Sequence, residues 1–246
     1  MKFSVGNESC ELSDTLLNAI VCSIDKAVSE DVPNQLRKYP LETNNYISFM
    51  RGDFINQNLR QMVNDEGGQL HRFQRFGWSG RILISRESHL TISITTQNNL
   101  NTIPRKVRQR PHFMQSLLHC MNDGLHGRYE QISFFDSDPF EEEAYVTDFE
   151  NIINGVLNAD EFRHCVITYC TSGNDLVDVK LVILDPCFNV VTEESLVEYM
   201  KPDFARLTDS APKEETAREK HNNATRQLTS LKQGVTPALR EEEKEA

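Results

Sequence analysis

The chain has 246 residues, of which 26 are basic and 37 acidic, so its formal net charge is −11. That length is enough to bury a core in one large domain or two small ones. No apolar run approaches the roughly 20 residues of a membrane helix, and the first residues lack the apolar stretch of a signal peptide. We therefore expect a cytoplasmic protein without a membrane partner.

The six cysteines are scattered along the chain without a CxxC pair. This pattern is typical of reduced core residues and not of a zinc site. The sequence also lacks a Walker loop, a dinucleotide-binding glycine turn and a nucleophile elbow. We therefore predict neither a metal site nor a cofactor.

Residues 70–130 form a basic segment in this acidic chain. They hold nine Lys or Arg and three acids, which gives +6, while the rest of the chain carries −17. Five of the seven histidines lie there as well. A concentrated positive field requires a negative partner, either within the same fold or outside it.

Apolar spacing predicts two helices before the basic segment. Ser13 is placed to cap a helix over 13–30, and a second apolar stripe predicts a helix over 46–64. The tripeptide Arg51-Gly52-Asp53 lies inside the second helix. Although it is known as an adhesion motif, we assign it no function in a cytosolic helix.

The first part of the basic segment predicts a β unit. Residues 90–95 alternate apolar and polar side chains, and 81–85 supply the partner strand of a hairpin. Just before it, residues 71–78 interleave arginines with aromatic rings, a mixture that binds single-stranded nucleic acid. The alternative, favoured by base rates, is that the rings belong to the core of a strand. Those rings are Phe73, Phe76 and Trp78.

A polar linker over 97–104 leads into the cationic run Arg105 to Arg110, and then into a predicted helix over 112–122. Such a run binds a phosphodiester backbone, or equally an acidic segment such as 136–143 of this chain. The candidate residues for binding nucleic acid or a partner are Arg72, Arg75, Trp78, Arg105, Lys106, Arg108 and Arg110.

His112 and His119 are the catalytic candidates. They are seven positions apart, so on one helix they would share a face, and an ordinary histidine transfers protons near neutral pH. Arg105 and His112 also have the Arg-x6-His spacing of a family of helical RNases, although Pro111 interrupts the helix that such enzymes use. The alternative is a half-exposed helix that carries titratable surface groups.

The C-terminal half predicts a helix over 146–157 and a second β unit. Its strands are expected over 165–171 and 176–184, with a short third strand at 189–191. Thr192, followed by two glutamates, predicts the start of another helix. Residues 205–246 are charged and lack aromatics, which predicts a disordered or marginally helical tail.

Three blocks of sequence together resemble a known family. They are Phe76-Gly77-Trp78, Pro111-His112-Phe113 with the helix end Met121-Asn122, and the segment 185–191. The chain thus resembles an uncharacterised bacterial family, a domain of unknown function found in Gram-positive bacteria and their mobile elements. The resemblance covers about residues 13–200 and implies a bacterial protein of a defence or toxin–antitoxin system, without assigned catalytic residues.

We predict an α+β fold in a single domain over 1–204. One mostly antiparallel sheet, built from the two β units, would pack against the N-terminal helices and the central helix. The first functional hypothesis is a protein of defence or toxin–antitoxin type that binds or cleaves RNA or DNA. The second is a non-enzymatic module that docks a cognate acidic protein through the same basic segment.

Overall fold

The protein's structure, a computed structural model, describes residues 1–5, 8–40, 42–43, 45–63, 66–127 and 140–200. The predicted tail and residues 136–139 of the acidic segment lie outside these ranges, so what we expect of them stays a prediction. In the described part of the chain, no helix has both the length and the apolar character needed to cross a membrane.

A mixed six-stranded sheet forms the centre of the fold. It is preceded by a separate two-stranded hairpin, and its strands lie side by side in chain order. Neighbouring strands of the large sheet are antiparallel except at the middle, where β5 and β6 run parallel. The strands are β1 (Lys2–Val5), β2 (Glu8–Glu11), β3 (Gly68–Arg75), β4 (Trp78–Ser85), β5 (Leu90–Thr96), β6 (Arg163–Ser172), β7 (Asp175–Leu184) and β8 (Val190–Ser195).

Helices cover both faces of this sheet. The helices are α1 (Asp14–Lys26), α2 (Val32–Lys38), α3 (Ile47–Met62), α4 (Gln97–Thr102), α5 (Phe113–Met121) and α6 (Glu142–Ile153). Apolar residues of α1 and α3 pack on one face, against strand residues such as Leu83 and Ile167. Three further helices, α4, α5 and α6, pack on the opposite face, against residues such as Ile84 and Val166.

The α+β class and the single shared sheet are confirmed. Of the two predicted N-terminal helices, the second corresponds to α3. The first begins where predicted but does not end at residue 30, since α1 passes through a π-helical turn at Ala27–Asp31 into α2. Ser13 caps α1 as expected, and its hydroxyl accepts a hydrogen bond from the Leu16 amide over 3.1 Å.

The prediction of a helix after Thr192 was wrong. Thr192 lies within β8, where its hydroxyl donates to the Ser4 carbonyl over 2.6 Å, and the following Glu193 pairs with Lys180 over 2.8 Å. Pairing with β7 therefore outweighs the local capping signal. The linker predicted at 97–104 contains the short helix α4, which Thr96 caps through the Asn99 amide.

A buried asparagine fixes α5 to the sheet. Asn122 follows the last turn of α5, and its side chain donates to the carbonyls of His164 and Leu184 over 2.8 and 2.7 Å. Its oxygen accepts from the His164 amide over 2.8 Å. One side chain thus holds the end of α5 against both β6 and β7. This attachment fixes the position of the helix on the sheet.

Candidate aromatic–arginine surface and sheet cleft

The β3–β4 hairpin presents a phenylalanine at its tip. The two turn residues, Phe76 and Gly77, both have positive φ, +48° and +81°, as in a type I′ turn. Glycine and asparagine adopt this backbone readily, whereas an ordinary side chain costs roughly 1–2 kcal/mol there. The Phe76 ring is nevertheless 68% exposed, so burial of the ring does not offset that cost.

Cations surround this ring. The Arg110 guanidinium lies 4.2 Å from the centre of the Phe76 ring, and that of Arg75 lies 5.1 Å from it. Next along β4, Trp78 is 45% exposed and packs against Phe73 and Phe113 at ring-centre distances of 5.6 and 5.4 Å.

The expectation that the three rings belong to the core is therefore confirmed for Phe73, which is 4% exposed, and wrong for Phe76 and Trp78, which are 68% and 45% exposed. Phe76 lies in the tight turn at the tip of the hairpin, where its ring is not covered. We use the term aromatic–arginine surface for Phe76, Trp78, Lys106, Arg108 and Arg110.

Arg75 serves the interior of the fold. Its Nε donates to the Asp148 carboxylate over 2.5 Å, and its terminal nitrogen donates to the Pro111 carbonyl. Asp148 is 7% exposed and also accepts from the Ser116 hydroxyl over 2.6 Å. These contacts attach the hairpin to α6 and to Pro111 just before α5. Arg75 therefore stabilises the fold, and its charge is already neutralised by Asp148.

The cationic run before α5 is mostly exposed. Arg105, Lys106 and Arg110 are exposed, and Arg108 is half-buried and donates to the Ile103 carbonyl over 2.5 Å. Among the described residues, none of these four forms an ion pair with a carboxylate. The described end of the acidic segment, 140–143, therefore does not neutralise the run.

His112 is the N-cap of α5. Its Nδ1 accepts a hydrogen bond from the Met114 amide over 3.3 Å, and the Gln115 side chain completes the capping box by accepting from the His112 amide over 2.7 Å. Burial lowers the pKa of His112 to about 3, with smaller contributions from Arg108 and other nearby cations. The imidazole is therefore neutral at physiological pH.

His119 lies elsewhere. Its ring stacks on Tyr145 at a distance of 4.4 Å, and it borders a different cavity from the one that His112 lines. The expected shared face was wrong, because His112 precedes the first helical residue and has an extended backbone. Catalysis by either residue stays a prediction.

Two arginines face each other across the hairpin. Arg72 of β3 lies directly opposite Arg81 of β4, so their side chains project from the same face of the sheet. Arg72 is exposed and donates weakly to the Ser79 hydroxyl over 3.4 Å. Like charges at opposed positions destabilise a sheet, so this pair favours an anion on that face.

The sheet opens beside this pair. The strands β4 and β5 pair at Leu83–Ile92, Ile84–Thr91 and Ser85–Leu90, and beyond Leu83 the described strands separate. A cavity of about 900 Å³ fills the gap. We call this cavity the sheet cleft. Its walls are residues 79–81 of β4 and 93–96 of β5, and it is completed by residues of α3, by Tyr169 and by the start of α5.

The separation follows from how the hairpin is held. Phe73, Trp78 and Arg75 all bind the hairpin to α5 and α6, whereas β5 continues in full register with β6. Gly80 permits this packing, because a Cβ there would come within 2.3 Å of the Phe73 ring and 2.7 Å of the Trp78 ring. The two strands are thus drawn to different neighbours.

Sequence reasoning missed the residues that α3 contributes. Arg51, Gly52 and Asp53, dismissed as an adhesion motif, all line the sheet cleft, as does Arg81. No periodic pattern in the sequence distinguishes these residues, because they line a cavity only where β4 and β5 separate. In the described part of the chain, no group of three or more His, Cys, Asp or Glu residues is arranged to hold a metal ion.

Comparison with known proteins gives one result. Residues 9–246 match the model of a family described as a family of unknown function, DUF5986. No curated protein matches the chain, and no solved structure does either. The match covers nearly the whole chain, so the aromatic–arginine surface and the sheet cleft both lie within it.

Proposed function

Since the chain belongs to the DUF5986 family, whose function is unknown, we propose its function from the site itself. The protein binds single-stranded RNA or DNA through the aromatic–arginine surface. Phe76 and Trp78 stack on unpaired bases, while the neighbouring cations neutralise phosphates. Base pairing hides the faces of the bases, and therefore a duplex is the poorer ligand.

The observation that carries this proposal is the Phe76 turn. An exposed ring in an unfavourable backbone conformation is kept where the residue does something other than stabilise the fold. The Arg110 guanidinium over the ring places a positive charge beside the stacking face. Together they match the two parts of a nucleotide, a planar base and a phosphate.

Charge supports the same ligand locally. The low pKa of His112 arises in part from Arg108, Arg75 and Lys106, which indicates a positive potential at the start of α5. The net charge of −11 opposes a polyanion at long range. Short-range contacts must therefore dominate, and binding should weaken steeply with added salt.

We test the proposal by fluorescence anisotropy with labelled 15-nucleotide RNA and DNA, single-stranded and duplex, at two salt concentrations. We expect the single strands to bind more tightly, with affinity falling at least tenfold at the higher salt. Phe76→Asn should weaken binding by about 1–3 kcal/mol, the usual value of one stacked base. Because asparagine suits a type I′ turn, the variant keeps its fold.

Arg110→Gln should also weaken binding, and Arg60→Gln is the matched control. Arg60 is an exposed arginine on α3, outside the sheet cleft, so its removal should leave the affinity within twofold. Absence of binding at low salt would refute the proposal. Tight binding of an acidic peptide in its place would favour the alternative, a module that docks a cognate acidic protein.

The cellular setting is a further part of the proposal. A cytoplasmic bacterial protein of a defence or toxin–antitoxin system is supported by the resemblance of the sequence blocks alone. Cleavage of the bound strand by His112 or His119 also remains proposed. Loss of nuclease activity in His112→Asn, which keeps an acceptor for capping α5, would support a catalytic His112.

A further inference from the structure

The inner wall of the sheet cleft carries a hydroxyl without a partner. Ser93 of β5 is 1% exposed, and within the described residues its Oγ makes no hydrogen bond. Buried hydroxyls are nearly always hydrogen-bonded, and one left over requires an explanation. Because Ser93 lines the cavity, a bound ligand with a polar edge can supply the missing partner.

A second unpartnered group belongs to Arg51 of α3, which also lines the cleft. The Nε of Arg51 on α3 is buried and makes no hydrogen bond within the described part of the chain. Its charge and a side-chain hydrogen bond act on Tyr169, where they oppose the burial that raises the pKa of the phenol. The Arg51 guanidinium thus retains donors for an anion.

The cleft is also positively charged. Arg51, Arg75 and Arg81 line it, and the carboxylate among its described lining residues is that of Asp53, which is exposed. Asp148 already neutralises Arg75, so Arg51 and Arg81 are the cations available to a ligand. Two guanidinium groups in one cavity are well suited to a phosphate.

Aromatic rings border the same cavity. Phe49 of α3, which is 74% exposed, and Trp78 of β4, which is 45% exposed, both line it. Where the β4–β5 ladder stops, the strand edges turn backbone N–H and C=O groups towards the cavity. The cleft therefore offers stacking surfaces, cations and hydrogen-bonding edges in a volume of about 900 Å³, within the usual range for small ligands.

We propose that the sheet cleft binds a single nucleotide, with its phosphate at Arg51 and Arg81 and the polar edge of its base at Ser93. The choice of ligand rests on the proposed function, because one nucleotide of a bound strand would enter the cleft from the adjoining aromatic–arginine surface. The geometry of the cleft itself is independent of that function. A free nucleoside monophosphate should therefore bind on its own.

Gly52 offers a clean way to block the cleft. It lines the cavity within α3, and a Cβ added there would meet nothing within 4 Å. Gly52→Leu should fill part of the cavity, whereas Gly52→Ala adds only a methyl group and is the matched control. Both substitutions favour the helix, so loss of binding in the first would not reflect unfolding.

The experiment is isothermal titration calorimetry of the full chain with each of the four 5′-ribonucleoside monophosphates and with inorganic phosphate. We expect at least one nucleotide to bind with micromolar affinity and inorganic phosphate to bind at least tenfold more weakly. Gly52→Leu should reduce nucleotide affinity at least tenfold, Arg51→Gln similarly, and Ser93→Ala about threefold to tenfold. Gly52→Ala should match the wild type.

Three results would overturn the proposal. They are no nucleotide binding at millimolar concentration, equal binding of inorganic phosphate, and equal affinity in Gly52→Leu and Gly52→Ala. An acidic peptide that competes for the cleft more tightly than any nucleotide would overturn it as well.

A triple variant separates this proposal from the proposed function. Substitution of Arg105, Lys106 and Arg110 by glutamine should weaken binding of the oligonucleotide at least tenfold and leave that of the monophosphate unchanged, since none of the three lines the cleft. Nucleotide binding without strand binding would refute the proposed function alone. If instead the oligonucleotide binds equally well to Gly52→Leu and no monophosphate binds, the proposed nucleotide site in the cleft alone would be refuted.

Discussion

At the scale of single residues, Phe76 and Ser93 represent the same kind of conflict. Each is placed where the stability of the fold would favour another residue, asparagine in a type I′ turn and a non-polar residue in a buried, unpartnered position. Phe76 lies at the hairpin tip and Ser93 in the wall of the sheet cleft. Because local rules fail most often at functional sites, the two positions support the proposal of one binding region.

Two buried histidines make stability depend on pH. Burial lowers the pKa of both His112 and His164 from an ordinary 6.5 to about 3. Below pH 6.5 the unfolded chain binds these protons and the folded chain does not. The free energy of unfolding should therefore fall as the pH is lowered towards 3, by up to about 1.4 kcal/mol per pH unit for each histidine.

This pH dependence is measured by urea denaturation at pH 7.0, 5.5 and 4.5. His112→Asn keeps an N-cap acceptor but no titrating ring, so its free energy of unfolding should change less between pH 7.0 and 4.5 than that of the wild type. His126→Gln, at an exposed position, is the control and should follow the wild type. An identical slope in His112→Asn and the wild type would contradict the assignment.

At the scale of elements, the attachment of the β3–β4 hairpin to α6 decides the shape of the cleft. The Arg75–Asp148 pair is largely buried, with side-chain exposures of 14% and 9%. Asp148→Asn removes the countercharge and leaves a mostly buried guanidinium, which costs about 3–5 kcal/mol. The hairpin tip should loosen, and the cleft should lose its fixed width.

Urea denaturation at pH 7 measures that cost, because urea is uncharged and does not screen the ion pair. Glu150→Gln removes an exposed carboxylate from the same helix and should change the free energy of unfolding by less than about 0.5 kcal/mol. If Asp148→Asn were as mild as this control, the ion pair could not be what holds the hairpin. Nucleotide affinity in the same variant should fall together with stability.

The sequence located β5 and α3 correctly. The alternation at Leu90, Ile92 and Ile94 identified β5 and the apolar stripe of α3 identified that helix, although the polar face of β5, with Thr91 and Ser93, is buried as well. The predicted helix after Thr192 failed, since a local cap signal says nothing about an available strand edge. The cleft could not be predicted from the sequence, because it forms where the pairing between β4 and β5 stops, and no local pattern shows where that pairing stops.

At the scale of the whole molecule, charge is distributed unevenly. The basic segment supplies the cations of the aromatic–arginine surface, whereas the chain as a whole carries −11. Long-range repulsion of polyanions acts over a Debye length of about 8–10 Å at physiological salt. Under the proposed function, contacts closer than this must outweigh the repulsion, so affinity should depend on direct contacts with Phe76, Trp78 and the neighbouring cations.

The parallel pairing of β5 with β6 also has a kinetic consequence. Leu90 lies opposite Arg163, so closing this pair orders a loop of roughly 70 residues and costs about 4 kcal/mol of chain entropy. The antiparallel neighbours on either side form from local contacts. We therefore expect the joining of the two halves of the sheet to limit the rate of folding.

Stopped-flow refolding tests this expectation. Ile167→Val, at the parallel join in β6, should slow folding, with a φ-value of about 0.5 or higher, whereas Val191→Ala in the edge strand β8 should mainly speed unfolding. If Ile167→Val mainly sped unfolding and Val191→Ala slowed folding, the β5–β6 pairing would form after the transition state. If the expectation holds, the β5–β6 pairing is already formed in the transition state, so β5 takes its place beside β6 before the sheet is complete, while its pairing with β4 stays limited to three residue pairs.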